Sequence, residues 1–177
     1  MNMKKNLLIV SIMLIGVSCV CSAQSKVKIW AVQDATSALS MMAQFNRENS
    51  IVMLWEGLQK SKKGVFIQEK CDDGSYIFRV AENPDLVITV EDGIARDGQP
   101  IEVHKYNGSD SQKWFIESSY RDTGKFDQYI VSALNTNYVM YSGKAPLTNG
   151  TSIVLCRRLP GNKAERFTFS SASDVKF

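Results

Sequence analysis

Residues 97–116 read DGQPIEVHKYNGSDSQKWFI. The stretch opens with an Asp-Gly turn signal, continues with β-branched residues that alternate with polar ones, and reaches a second turn signal at Asn107 and Gly108. Short runs between such turns predict β-strands rather than helices. Gln112 stands two residues before Trp114, so both side chains lie on one face of an extended chain. A buried amide at this place is expected to satisfy backbone groups of the preceding turn.

The same order of signals recurs along the chain. Asp97-Gly98 matches Asn149-Gly150 and, more weakly, Glu48-Asn49. The run that ends each unit places Val65, Trp114 and Phe167 at equivalent positions, 49 and 53 residues apart. A unit of this size cannot bury its own apolar face, so three units are expected to share one core. The predicted inward pairs are Val65 with Ile67, Trp114 with Ile116, and Phe167 with Phe169.

The first residues are interpreted as a secretory signal peptide, residues 1–23, which leaves a single domain over 24–177. A basic start precedes the apolar stretch 7–20, and small residues lead to a cleavage site after Ala23. The apolar stretch is too short for a comfortable membrane span. A lipid anchor on Cys19 is disfavoured because Gly16 stands where a large aliphatic residue is expected. The protein is therefore predicted to be exported, to a bacterial periplasm or the outside of the cell.

The formal net charge of the whole sequence is +3, and it becomes smaller when the signal peptide with its two lysines is removed. A nearly balanced chain does not indicate binding to nucleic acid or to anionic membranes. Two cysteines remain, Cys71 and Cys156. In an exported protein they either form a disulfide or serve as two buried small side chains, and the sequence leaves both open.

With its repeats, the stretch 97–116 resembles the ricin B-type lectin family, whose domains carry a Q-x-W motif near the end of each repeat. Residues 149–169 resemble it more weakly and residues 28–67 poorly. The resemblance implies an all-β fold, the β-trefoil, with pseudo-threefold symmetry. It is a six-stranded barrel capped by three hairpins, with repeats at about 26–70, 71–122 and 123–177. It also implies up to three sugar pockets, no catalysis and no cofactor.

Sugar binding in that family uses an acidic residue, a stacking ring and polar residues at the motif. The resemblance places the acidic position on Ser40, Thr89 and Tyr141, and the stacking position on Trp55, His104 and Cys156. None of the first three residues is acidic, so a galactose site of the family type is not expected. The residues carried over as candidate carbohydrate-binding residues are Thr89, Glu102, His104, Ser111 and Gln112 in the second unit, and Trp55 in the first. The third unit, with Ala164 and Glu165 at its motif, is expected to be closed.

Two hypotheses remain open: an exported, non-catalytic carbohydrate-binding module, and a β-trefoil protein-interaction or inhibitor domain that has lost its sugar pockets. An enzyme is disfavoured, because the only histidine, His104, has no catalytic pattern around it. The acidic group Glu91, Asp92 and Asp97 is interpreted as turn-forming rather than as a metal site. The expected partner is a glycan or glycoprotein, and the chain is expected to be a monomer. A solvent-open concavity that contains Thr89, His104 and Gln112 would favour the carbohydrate-binding hypothesis.

Overall fold

The computed structural model describes residues 24–32, 39–120, 126–143, 146–159 and 161–177. Its strands are β1 Gln24–Ala31, β2 Ser40–Ala43, β3 Ser50–Trp55, β4 Phe66–Lys70, β5 Tyr76–Val80, β6 Asn83–Val90, β7 Ile101–Lys105, β8 Trp114–Tyr120, β9 Phe126–Ser132, β10 Tyr138–Tyr141, β11 Val154–Arg157 and β12 Phe167–Ser171. Three single 3₁₀ turns lie at Glu91–Gly93, Asp110–Gln112 and Lys163–Glu165. The predicted signal peptide lies outside the described residues. No helix in the described ranges is long and apolar enough to cross a membrane.

The strands form a closed barrel with three hairpins, which confirms the predicted β-trefoil. β1, β4, β5, β8, β9 and β12 each pair with two neighbours, so that the pairing runs in a circle back to β1. The hairpins are β2–β3, β6–β7 and β10–β11. A closed barrel leaves no unpaired sheet edge, because each of its strands has hydrogen-bonded neighbours on both sides.

Three aromatic residues occupy equivalent places at the centre of the barrel: Phe66, Trp114 and Phe167. Each begins the last strand of its unit and faces residues of both neighbouring barrel strands, as Phe66 faces Val27 and Val80. Their side chains are 1%, 0% and 0% exposed. The remaining core is mostly aliphatic, with Phe78 and Tyr138 as further rings, and it comes from both barrel and hairpin strands. One shared core therefore serves all three units.

The predicted inward pair of the first unit was wrong by one residue. Phe66, not Val65, is the counterpart of Trp114 and Phe167. Val65 and Ile67 belong instead to a separate cluster outside the barrel, which includes Ala81 and Ala172. Successive side chains of a strand point to opposite faces, so a shift by one residue exchanges the core face for the outer face. Ile116 and Phe169 do pack against the core, as predicted.

The repeated turn residues tie each hairpin to the next. The side chains of Glu48, Asp97 and Asn149 accept backbone N–H groups from β7, from β11 and from the residue after β3 respectively. The residue after each of them has a positive φ of 61° at Asn49, 78° at Gly98 and 87° at Gly150. Glycine and asparagine tolerate this backbone conformation. The Asx-Gly repeat is therefore a structural device, which explains its recurrence.

The two cysteines of the domain are not joined by a disulfide bond. Cys71 is buried against Ile77 and Val87 on the outside of the barrel. Cys156 lies on β11, partly exposed, and its thiol donates to the carbonyl of Arg157 at 3.4 Å. The question that the sequence left open is thus answered in favour of two thiols.

Candidate functional site

The motif glutamine of the second unit is wholly buried and fully engaged. Gln112 is 0% exposed, and its Oε1 accepts the backbone N–H of Asn107 at 2.7 Å. Its Nε2 donates to the carbonyl of Lys105 at 2.8 Å and to Thr89 Oγ1 at 3.3 Å. The amide therefore closes the loop between β7 and β8. This confirms the structural explanation of the glutamine, since its polar atoms bind the protein itself.

Two further candidate residues belong to the same buried floor. Thr89 donates from Oγ1 to the carbonyl of Val87 at 2.9 Å while it accepts from Gln112. Ser111 is also buried, and its hydroxyl lies 2.7 Å from that of Ser109. Burial of these groups costs little free energy because each has a partner. The floor is thus a satisfied polar network that holds the loops above it in place.

Above this floor lies a solvent-open concavity of about 440 Å³, which we call the second-unit cavity. It contains Thr89, His104 and Gln112 together, and an open concavity with these residues favours the carbohydrate-binding hypothesis. Its remaining walls are Val90, Asp92, Gly93, Asn107, Ser109, Ser111 and Leu134. Asp92, Asn107 and Ser109 are exposed and bring a carboxylate, an amide and a hydroxyl to the rim. Leu134 adds an apolar wall from the following unit.

Sequence reasoning did not include Asp92 or Asn107 in the site, because both were interpreted as turn residues. They are turn residues as well. Asp92 has a positive φ of 54° within the turn that follows β6, and Asn107 Oδ1 accepts the backbone N–H of Ser109 at 2.9 Å. β6 and β7 are antiparallel, with Val90 opposite Ile101, so the ends of the two strands lie apart and no local signal placed Asp92 and Asn107 at one cavity.

The histidine has a defined neighbour. His104 and Glu102 are two residues apart on β7 and therefore share one face. Their atoms Nε2 and Oε2 are 3.1 Å apart, with side chains 30% and 12% exposed. Glu102 is not among the residues that line the cavity. The carboxylate thus holds one nitrogen of the His104 ring, which lines the cavity.

The first unit differs from the second in both register and lining. Met42 lies opposite Met53 on the hairpin, as Thr89 lies opposite Glu102, so Met42 rather than Ser40 occupies the position of Thr89. The prediction that Ser40 is equivalent to Thr89 was therefore wrong. The chain from Met42 to Met53 is two residues shorter than the one from Thr89 to Glu102, which moves the equivalent position to Met42. Leu58 packs against both methionines and fills the space beneath.

Trp55 stands apart from the first-unit cavity. It is 42% exposed at the end of β3, and the cavity of about 190 Å³ in this unit is lined without it. Two aromatic residues line this cavity, the buried Phe66 and the exposed Phe45, whose ring centroid lies 4.8 Å from the guanidinium carbon of Arg47. Trp55 is thus an exposed surface residue outside this cavity, and its role in carbohydrate binding stays a prediction.

In the third unit, Glu165 takes the structural role that Gln112 has in the second unit. Glu165 is buried and accepts the backbone N–H of Leu159 at 3.1 Å and the side-chain amide of Asn162 at 2.9 Å. Burial raises the pKa of the Glu165 carboxyl, opposed by these hydrogen bonds. Cys156 occupies the stacking position, so this unit offers a thiol where a ring would be needed. Over the ranges of the chain that are described, no group of three or more His, Cys, Asp or Glu residues could hold a metal ion.

No protein-family model matches the chain, and no curated protein matches it in sequence. Solved structures do match in fold. The designed threefold-symmetric protein ThreeFoil is 15% identical with a TM-score of 0.69, over 81% of this chain and 96% of that protein. A lectin from Polyporus squamosus, bound to a human-type influenza-binding epitope, is 19% identical with a TM-score of 0.67, over 85% of this chain and 50% of that lectin.

A third similar structure is the C-terminal half of the earthworm R-type lectin in complex with GalNAc. It is 12% identical with a TM-score of 0.59, over 83% of this chain and 98% of that chain. An exo-β-1,3-galactanase from Clostridium thermocellum also matches, but this chain spans only 30% of it. At these identities the likeness establishes the fold and no more. The chain has a β-trefoil fold whose structural neighbours include R-type lectins.

Proposed function

We propose that the protein is an exported, non-catalytic carbohydrate-binding module of the ricin B-type lectin kind, and that it holds a glycan in the second-unit cavity. The observation that carries the proposal is the open concavity of about 440 Å³ in which Asp92, His104 and Asn107 come together. Carbohydrate sites need fixed hydrogen-bond partners for hydroxyls beside an apolar surface for the C–H face. The lectins among the structural neighbours support the same interpretation.

Each wall of the cavity has a distinct role in this proposal. The Asp92 carboxylate accepts hydrogen bonds from sugar hydroxyls, and Asn107 and Ser109 offer both donors and acceptors. The His104 ring and Leu134 form the flat and apolar sides against which a pyranose rests. Thr89, Ser111 and Gln112 fix the floor, and Glu102 orients His104. These four are positioning residues rather than sugar contacts.

The test is a glycan array probed with the protein and with Asp92→Asn and His104→Ala. The first substitution removes the charge, keeps the shape and suits the positive φ at this position. We expect both variants to lose binding by about tenfold or more, because Asp92→Asn removes a charged hydrogen-bond partner and His104→Ala removes the ring on which the sugar rests. Trp55→Ala is the matched control, an exposed ring outside the cavity, and should bind as the unaltered protein does. Binding that is unchanged in both cavity variants would contradict the choice of site.

A second candidate function is a protein-interaction domain. One observation favours it: Trp55 and Phe45 are large exposed apolar side chains on the first unit, and neither lies in the second-unit cavity. Tryptophan is enriched among the residues that dominate protein–protein interfaces. A glycan array without signal at high protein concentration, together with a partner whose binding is lost in Trp55→Ala, would favour this function over the first.

A further inference from the structure

The outer face of the third unit contains an open cleft of about 650 Å³, which we call the Arg157 cleft. It lies between β9, the loop before β10, and the end of β11. Its walls are Tyr129, Thr136, Asn137, Arg157, Arg158 and Gly161. None of these residues lines the second-unit cavity, so the two concavities are separate sites.

The two arginines of the cleft are in different electrostatic situations. Arg158 forms an ion pair with Glu117, with Nη1 and Oε2 2.7 Å apart, and its guanidinium carbon lies 4.5 Å from the centroid of the Tyr129 ring. Arg157 is exposed, and none of the ion pairs between described residues includes it. Like Arg158, it lies beside a ring: its Nη2 is 3.5 Å from the hydroxyl of Tyr138, and its guanidinium carbon is 5.6 Å from the centroid of that ring.

Carboxylates near the cleft are already engaged. Glu117 neutralises Arg158. Asp97 accepts the backbone N–H of Arg157 and so holds the end of β11. Glu165, which feels the charge of Arg158, is buried and binds Leu159 and Asn162. A guanidinium stays charged at every physiological pH. The cleft therefore presents one exposed cation beside the neutral groups of Thr136, Asn137 and Tyr129.

The three units differ in the residue that occupies the position of Tyr129. Tyr129 faces Glu117 across the barrel strands, as Ile77 faces Glu69 and Lys28 faces Ser170. These three residues are therefore equivalent. In the second unit, Tyr106 packs against the cluster of Ile77, Cys71 and Val87. In the first unit, Lys28 donates from Nζ to the carbonyls of Ser61 and Lys63 at 2.8 and 3.1 Å.

We propose that the Arg157 cleft binds an acidic saccharide, with the carboxylate or sulfate of the sugar on Arg157. A guanidinium binds planar carboxylates and sulfates through two parallel hydrogen bonds. The cleft is much larger than a single small anion, and its other walls offer an amide, hydroxyls and ring edges of the kind that sugars use. This inference rests on the proposed function in one respect, the saccharide nature of the ligand.

The test is a titration followed by residue-resolved NMR, with sodium glucuronate, glucose and sodium sulfate as probes at one ionic strength. We expect glucuronate to shift the amide signals of Asn137 and Gly161, and glucose and sulfate to shift them at least tenfold more weakly. Arg157→Gln should weaken glucuronate binding by about tenfold or more, and Arg157→Lys by less, because the charge remains without the planar fork. Arg47→Gln is the matched control, another arginine beside an aromatic ring, and should leave the titration unchanged.

Two results would overturn the inference. Glucuronate shifts that persist in Arg157→Gln would show that the arginine does not hold the ligand. Sulfate that binds as tightly as glucuronate would reduce the cleft to a simple anion site. Signals of His104, Asn107 and Ser109 report the second-unit cavity in the same spectra, so failure of the proposed function is seen separately. Unshifted signals elsewhere in Arg157→Gln confirm that the variant is folded.

Discussion

The side-chain oxygen of Asn149 accepts the backbone N–H of Glu56 at 2.7 Å, and thereby binds the third unit to the first. Glu48 makes the same contact from the first unit to Lys105 in the second, at 3.2 Å. Asp97 makes it from the second unit to Arg157 in the third. The three contacts form a closed circle around the pseudo-threefold axis. Each hairpin is therefore held by the turn of another unit rather than by its own.

Removal of one contact in this circle should destabilise the whole domain. We expect Asn149→Ala to lower the free energy of unfolding by about 1 kcal/mol, the usual net value of one hydrogen bond. Urea unfolding followed by tryptophan fluorescence measures it. Asp72→Ala, which alters an exposed turn residue, is the control and should change stability by less than about 0.5 kcal/mol. Equal effects of the two substitutions would contradict the role of Asn149.

The buried amide of Gln112 should matter more than a surface hydrogen bond. In Gln112→Ala, the N–H of Asn107 and the carbonyl of Lys105 lose their partner beneath the loop. A buried polar group without a partner costs about 1–3 kcal/mol, so we expect a loss of about 2–3 kcal/mol in urea unfolding. Gln68→Ala, at a partly exposed position of β4, is the comparison and should cost less. A smaller effect for Gln112→Ala than for Gln68→Ala would show that water replaces the amide.

Glu165 makes the stability of the fold depend on pH, because the pKa of its carboxyl is raised in the folded protein. Its carboxyl has a folded pKa above the ordinary 4.5, because burial disfavours the charged form. The native state thus binds this proton more tightly than the unfolded chain. The associated stability is present below pH 4.5 and is lost as pH rises through the raised pKa.

Glu165→Gln removes this titration and places in the third unit the residue that the second unit has. We expect the variant to be more stable than the unaltered protein at pH 7, with a gain that disappears at pH 4. Urea unfolding at the two pH values provides the measurement. A gain of the same size at both pH values would show that the charge of Glu165 is not its cause.

The corrected register of the first unit also has a measurable consequence. Phe66→Leu should cost about 1–2 kcal/mol, because it removes ring volume from the centre of the barrel. Ile67→Val removes one methylene from the partly exposed outer cluster and should cost less than about 0.5 kcal/mol. Thermal unfolding of the two variants compares them. The reverse order of stability would restore the register that the sequence suggested.

The parts of the fold that local signals encode were predicted from the sequence. Short β-rich runs, the Asx-Gly turns and the threefold spacing led to the β-trefoil, and the place of Gln112 beside Trp114 led to its structural role. The errors occurred where the units differ in length. Without a motif amide near Phe66, spacing alone did not fix the face of β4. The shorter distance from β2 to β3 displaced Ser40 by two residues relative to Thr89.

The sequence by itself determined that three similar units share one apolar core, because turn chemistry and the alternation of strand side chains are local properties that residues carry with them. Only the tertiary structure decided which side chains surround a cavity. Asp92, His104 and Asn107 come from two loops and a strand, and Leu134 comes from the next unit. Their proximity depends on barrel closure and hairpin register, which are set by contacts between residues far apart in the chain. For the same reason, Arg157 and Tyr129 share a cleft that no local motif records.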